Sequence, residues 1–285
     1  MGNERIVRAN GVELCVEAFG DPVDPTLLLT GSSMLSWPEE LCTRLAAGSR
    51  HVIRYDIRDT GRSISYVAGE PQYLLSDLGA DVIGLLDVFD IDRAHLVGLS
   101  VGGWVAQLAA VNNSDRVASL TLIATRPTSP GANDPDLPEH SEAILTFFSK
   151  SAETEIDWAD RAAVVDFLVE RERHLAGSRP FDETTVRELA VRMVKRTPDM
   201  LASLTSIAFL RRRERWRERL ADLNTPTLVI HGTEDPFFPY GNAVALASDI
   251  PGARLLPLER VGHELPRSAW DEVLSPILDH TSGVG

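Results

Sequence analysis

Up to about Thr125 the chain alternates between two kinds of segment, and that alternation constrains its fold more than any other feature. Three short apolar, β-branched runs, TLLLTG, HVIRYDI and AHLVGLS, lie beside PEELCTRLAAG, DLGADVIGLLDVFDI and GGWVAQLAAVN, whose apolar residues recur at helical spacing. VASLTLIAT closes this part. Strands that are apolar on both faces must be covered on both faces. The pattern therefore predicts an α/β fold, a mostly parallel sheet with helices on both sides. At the start, ERIVRA and VELCVEAF, split by Asn10-Gly11, read as a hairpin at the sheet edge.

The alternation then stops. From Arg126 to about Leu223 the pattern is helical throughout, in EHSEAILTFFSK, DRAAVVDFLVERERHLAG, DETTVRELAVRMVKRT and DMLASLTSIAFLRRRERWRERL. It resumes with TPTLVIHG, YGNAVALASDI, ARLLPLER and a last helix, SAWDEVLSPILDHT. A crossover between two strands needs far fewer residues than this interval. The expected organisation is an α/β core of residues 1–125 and 222–285, with residues 126–221 inserted as an all-helical cap. The cap would lie over the C-terminal edge of the sheet, where open α/β sheets bind ligands.

A net charge of -14 argues against a nucleic-acid surface, which depends on clustered Lys and Arg. The one basic run, RRRERWRER (211–219), reads as a solvated helix face with Arg211/Glu214 and Arg215/Glu218 paired at i,i+3. Cys15 and Cys42 have no metal-ligand spacing and are expected to be buried free thiols, which fits a reducing compartment. No apolar stretch is long enough to cross a membrane and MGNERIVRAN has no secretory core, so a cytoplasmic location without membrane partners is expected.

Gly98-Leu99-Ser100-Val101-Gly102 matches G-x-S-x-G at the end of an apolar strand and the start of a helix. A serine at so sharp a turn leaves no room for side chains two residues to either side, and glycine at both places relieves the collision. The helix opening at Val101 brings unpaired N–H groups and the positive end of its dipole to where an oxyanion would form. A reactive hydroxyl needs a base, and the base needs an orienting acid. Of seven histidines, His51 and His95 begin strands, His140 and His174 fall in the helical insertion and His280 lies near the end. His231 reads as a hydrogen-bonding residue of its turn. His263, in the loop VGHELP after the last strand, shares the C-terminal sheet edge with Ser100. For the acid, the end of TLVIHG offers Asp235, with Glu234 as the alternative.

The order Ser100, Asp235, His263 is that of α/β-hydrolase triads, and the chain resembles that superfamily from end to end. RYDIRDTGRS (54–63) resembles its D-x-R-G-x-G-x-S loop, with Asp59 and Thr60 in place of the usual glycine and its neighbour. HVIRYDIRDTGRS, GDPVDPTLLL, VGHELP and ILDHT are most similar to the aclacinomycin methyl esterase group, cap-bearing hydrolases of anthracycline methyl esters. The resemblance implies an oxyanion hole built from the Val101 amide and a second amide in the loop Thr30-Gly31-Ser32, where the role falls to Ser32.

The resemblance further implies a serine hydrolase acting on a carboxylic ester through an acyl-enzyme, with no metal or cofactor. Lactonase, carbon–carbon bond hydrolase and perhydrolase activities share the triad, and a non-catalytic ligand-binding homologue is the rival from another class. A Ser at position 100 argues against epoxide hydrolase or haloalkane dehalogenase activity. The apolar composition of the cap favours an apolar or aromatic acyl group, and Trp37 and Trp104 are candidates for pocket walls or for plain packing. A small-molecule ester is the expected partner, and a monomer and a homodimer fit equally well.

Overall fold

The computed structural model describes residues 4–128, 134–153, 156–210 and 215–282. Eight strands, β1 (Arg5–Ala9), β2 (Val12–Phe19), β3 (Thr26–Thr30), β4 (His51–Tyr55), β5 (Ala94–Leu99), β6 (Val117–Ile123), β7 (Thr227–Gly232) and β8 (Arg254–Leu258), form one sheet. Their order is β1-β2-β4-β3-β5-β6-β7-β8. β2 is antiparallel to both neighbours and the rest of the sheet is parallel. Asn10 and Gly11 connect β1 to β2 with φ of 48° and 79°, the left-handed pair that a two-residue hairpin turn demands.

The sheet side chains divide by parity. Leu28, Ile53, Leu96 and Val229 face a core shared with α2 (Leu75–Val88), α3 (Val101–Asn112) and α8 (Gly241–Asp249). Leu27, Leu29, Val52, Val97 and Ile230 face the opposite core, against α1 (Glu39–Ala46) and α9 (Trp270–His280). Helices therefore cover both faces, as the apolar strands require. α2 starts at Leu75, two residues before the sequence pattern does, because the Asp77 carboxylate accepts the Leu74 amide at 2.7 Å.

Between β6 and β7 the described residues form helices only: α4 (Glu142–Glu153), α5 (Arg161–Leu175), α6 (Glu183–Arg196) and α7 (Met200–Thr205), with 3-10 turns at Ser206–Phe209 and Arg217–Asp222. α5 and α6 bury Val164, Leu168, Ala190 and Val194 against each other in a core of their own. The one long helix expected from Asp199 to Leu220 is not formed. α7 stops at Thr205, and further on Trp216 is fully buried, its indole donating to Gln107 Oε1 of α3 at 2.9 Å. The basic run is accordingly more than a solvated face. Arg215 pairs with Glu218 at 2.6 Å, but Arg217 also bridges Asp136 and Asp249. Arg211/Glu214 lies outside the described residues.

Both cysteines are free and buried, and burial pushes each thiol up to about 12. In the loop after β4, Asp59 stands at φ 65°, where the resembled motif has glycine. Its carboxylate offsets the strain by accepting from the Tyr66 amide at 2.6 Å and the Tyr73 hydroxyl at 2.8 Å. Beside it, Arg58 makes a two-pronged bond to Asp81 of α2, at 2.8 and 2.7 Å, and Asn10 of the hairpin turn donates to the same carboxylate. Three segments thus meet on one buried anion. Asp81→Ala, which strands the Arg58 charge, is expected to lower urea-unfolding stability by about 3–5 kcal/mol; the double variant Arg58→Met/Asp81→Leu should lose distinctly less.

Candidate active site

Ser100 joins β5 to α3 with φ 55° and ψ −118°, outside the regions open to ordinary L-residues. Its amide donates to Ile123 O and its carbonyl accepts from Gly103 N, so both neighbours hold the strained turn. The flanking glycines are required by contact. A Cβ at Gly98 would stand 2.4 Å from Gly102 O, and one at Gly102 would stand 2.1 Å from Thr30 O. α3 is thereby pressed against the end of β3 and the Gly31 amide that follows it.

That loop is itself tethered. The Ser33 hydroxyl accepts from Leu35 N, Ser32 Oγ meets Ser36 Oγ at 3.1 Å, and the Met34 amide donates to Asp56 Oδ1 at 2.9 Å. Asp56, fully buried, is neutralised by Arg196 of α6 at 2.8 Å. The helical insertion therefore reaches the loop through this carboxylate and also directly, with Arg196 Nη2 at 3.3 Å from Met34 Sδ and with Leu189 and Met193 packed against Met34 and Leu35.

Above the elbow, Ser100 Oγ lies 2.8 Å from His263 Nε2, and His263 Nδ1 lies 2.8 Å from Asp235 Oδ2. Asp235 Oδ1 accepts the amides of Phe237 and Phe238. Burial alone would raise Asp235; electrostatic attraction to His263 and the hydrogen bonds from His231 and His263 outweigh it and hold the carboxyl well below the usual carboxylate range. An anionic carboxylate fixes His263 with its proton on Nδ1 and leaves Nε2 free to accept from the serine. The arrangement can draw the hydroxyl proton as the oxygen attacks an electrophilic carbon. Glu234, the alternative acid, is exposed and accepts instead from the Ser178 amide and hydroxyl, at 2.6 and 3.0 Å.

His231 reaches the same acid. Its Nε2 is 2.7 Å from Phe238 O and 3.1 Å from Asp235 Oδ2, both acceptors, so Nε2 carries the proton. Reading the sequence placed this side chain in its turn but missed the acid it touches. The spacing His231–Asp235 carries no such signal, because the turn between them sets the contact.

Phe237 and Phe238 border the His263 ring, with centroids 4.9 and 5.1 Å away. Phe148 of α4 lies 6.0 Å from Phe237, and His140 stacks on Phe237 at 4.5 Å. Trp104 of α3 contacts Phe238 at 5.7 Å, on the site side of the sheet. Trp37 is fully buried in the opposite core, with its indole nitrogen beneath Gly31, where it supports the loop from below.

The exit of α5 is docked directly on the His263 loop. His263 N donates to Leu175 O at 2.8 Å, Arg179 N donates to Arg260 O, and Arg179 pairs with Glu272 at 2.7 Å. Here backbones touch: a Cβ at Gly262 would lie 2.1 Å from Leu175 O.

The chain belongs to the alpha/beta hydrolase family, whose model matches residues 27–275. It is similar to the rhodomycin D methylesterases of Streptomyces peucetius and of Streptomyces sp. (strain C5), with 32% and 31% identity, each over 97% of both chains. In fold it is similar to the esterase RhEst1 of Rhodococcus sp. ECU1013, with a TM-score of 0.80 and 19% identity over 100% of this chain and 99% of that one. Among the described residues no helix is long and apolar enough to cross a membrane.

This geometry sets two expected outcomes. Gly262→Ala should push the His263 loop off the α5 exit and lower kcat on an activated ester by about 100-fold, the scale of an ångström-sized misplacement. For Asp235, the folded carboxyl sits below its unfolded value of 3.8, so its contribution to stability is present above that pH. The stability gap between the native protein and Asp235→Asn, read from urea melts across pH, should be full at neutrality and close as pH falls below 3.8.

Proposed function

We propose that this protein, a carboxylic ester hydrolase, cleaves the methyl or other small alkyl ester of an apolar or aromatic acid through an acyl-enzyme on Ser100. The observation that carries the reading is the unbroken chain from Ser100 Oγ through His263 to Asp235, with both links at 2.8 Å. His263 takes the proton of Ser100 as Oγ attacks the ester carbonyl, and the amides of Val101 and Ser32 hold the developing oxyanion. Asp235 keeps the imidazole in the accepting tautomer and stabilises the imidazolium. His263 then protonates the leaving alcohol, and water clears the acyl group by the same route.

The acyl side of the substrate is inferred from what surrounds His263. Phe237, half-buried, presents aromatic surface 4.9 Å from the reacting ring with the buried Phe238 behind it, and Phe148 continues it into the helical insertion, which serves as the cap. A flat apolar acid desolvates such a wall at little cost. The similarity to methylesterases that act on rhodomycin D supports a compact leaving alcohol. The protein works in the cytoplasm on a small molecule.

A fluorophosphonate probe tests the nucleophile. Native protein should label at Ser100 and Ser100→Ala should not, with hydrolysis of an aryl ester falling by at least about 10⁴-fold; equal labelling of Ser100→Ala would sink the assignment. Asp235→Asn should reduce kcat by about 10²–10⁴-fold, the range seen when the orienting acid of such a triad is neutralised. Near-full activity of that variant would move the role to another carboxylate.

A further inference from the structure

Immediately beyond β6 and on the adjoining α3, three buried polar side chains lack, among the described residues, the partners their chemistry calls for. Arg126 is 7% exposed, yet it has no carboxylate within salt-bridge distance among the described residues. Its guanidinium Nε and Nη2 both donate to one neutral oxygen, Thr128 Oγ1, at 3.0 and 2.7 Å. Burial disfavours its charge, and the carboxylates that would favour it, Glu139 and Asp134, stand farther off. Asp134 is already engaged by Arg215 and Arg217. The Trp104 indole N–H, a donor only, has no acceptor among the described residues, and Thr125 Oγ1 is likewise unpartnered there.

These groups are contiguous with the active site. Thr125 packs its side chain over Gly103, next to Trp104. The Arg126 guanidinium lies 5.7 Å from the centroid of Phe238, the ring that also touches Trp104 and, at 5.1 Å, His263. The backbone beneath them is tied down by hydrogen bonds. Gln107, fully buried, donates to Arg126 O and Gly103 O, and accepts from Trp216 across the helical insertion. Such a scaffold fixes the backbone from which the Arg126 side chain extends. An unpaired buried cation is costly, and that cost is recovered when an anion binds it away from water.

We infer that Arg126, with Trp104, forms a subsite for a second carboxylate on the substrate, remote from the scissile ester. The guanidinium retains donors not used by Thr128, in the planar geometry that suits a carboxylate, and the Trp104 indole supplies another. The substrate class becomes the half-ester of an apolar dicarboxylic acid. The inference rests on the ester-hydrolase reading of the Ser100 site and deepens it.

The test uses 4-nitrophenyl half-esters of dicarboxylic acids from adipate to azelate. Each is paired with the neutral 4-nitrophenyl ester of the monocarboxylic acid of equal chain length. The protein's net charge of -14 would by itself favour the neutral member of each pair. We expect the native protein to prefer at least one half-ester by about 10- to 100-fold in kcat/KM, through KM, the scale of hydrogen bonds to a charged group. Arg126→Gln should lower that preference by a similar factor, and Arg126→Lys should restore part of it. A native preference at or below parity across the series, or an equal loss on both members of a pair in Arg126→Gln, would overturn the assignment. The native ratio decides even where the variant does not fold. Cleavage of neither ester removes the hydrolase reading and this one with it; cleavage of the neutral ester without preference removes this one alone.

Discussion

Everything at this site hangs on a backbone contact less than a side chain wide. The Ser100 turn, at φ 55°, holds α3 so close to the end of β3 that a methyl group at Gly102 would overlap Thr30 O. That contact fixes how closely the start of α3 approaches Thr30 and Gly31, where the loop that carries Ser32 begins. The strain is tolerable because the parallel strands on either side, β3 and β6, leave the turn no other course: Ser100 N is bonded to Ile123 O. A functional geometry is thus stored in the packing of the sheet and needs no separate device.

The helical segment between β6 and β7 also bears on this fixed point. It reaches the core at two places that matter for the chemistry. Arg196 neutralises Asp56, which in turn holds the Met34 amide of the Ser32 loop, while the α5 exit accepts the His263 amide directly. Both halves of the proposed machinery, the oxyanion loop and the base, therefore take their positions partly from residues that contribute no reacting atom. The buried Gln107 serves the same end on the β6 side, joining α3, the strand exit and Trp216.

The fold was legible because its signals are local. Runs such as TLLLT and HVIRY could be assigned to buried strands from their own composition, and the Asn10-Gly11 turn from its dipeptide. The family resemblance rested on the same short segments. The stretch from Asp199 to Leu220 misled for the converse reason. Its periodicity reads as helix, but Trp216 and Arg217 have partners in α3, in α8 and at Asp136, all distant in sequence, and those contacts override local preference. The active-site region divides the same way: the serine announces itself by its glycines, whereas Arg126 carries no motif at all.

By itself, then, the sequence determined the alternation of buried strands and amphipathic helices, the steric demand for glycine around Ser100, and the set of residues that strand ends bring to one edge. Those are consequences of backbone geometry and period, which a chain carries wherever it goes. Only the tertiary structure decided that Asp235 turns inward while Glu234 is drawn out to Ser178, and that His231 shares the acid with His263. It also decided that Trp104 packs on Phe238 while Trp37 props the loop from the far core, and that Arg126 is buried with no counter-ion among the described residues. Each depends on burial and on pairing across long sequence separations, which set the dielectric surroundings and the available partners of a charged group. A side chain's neighbours in sequence do not determine those.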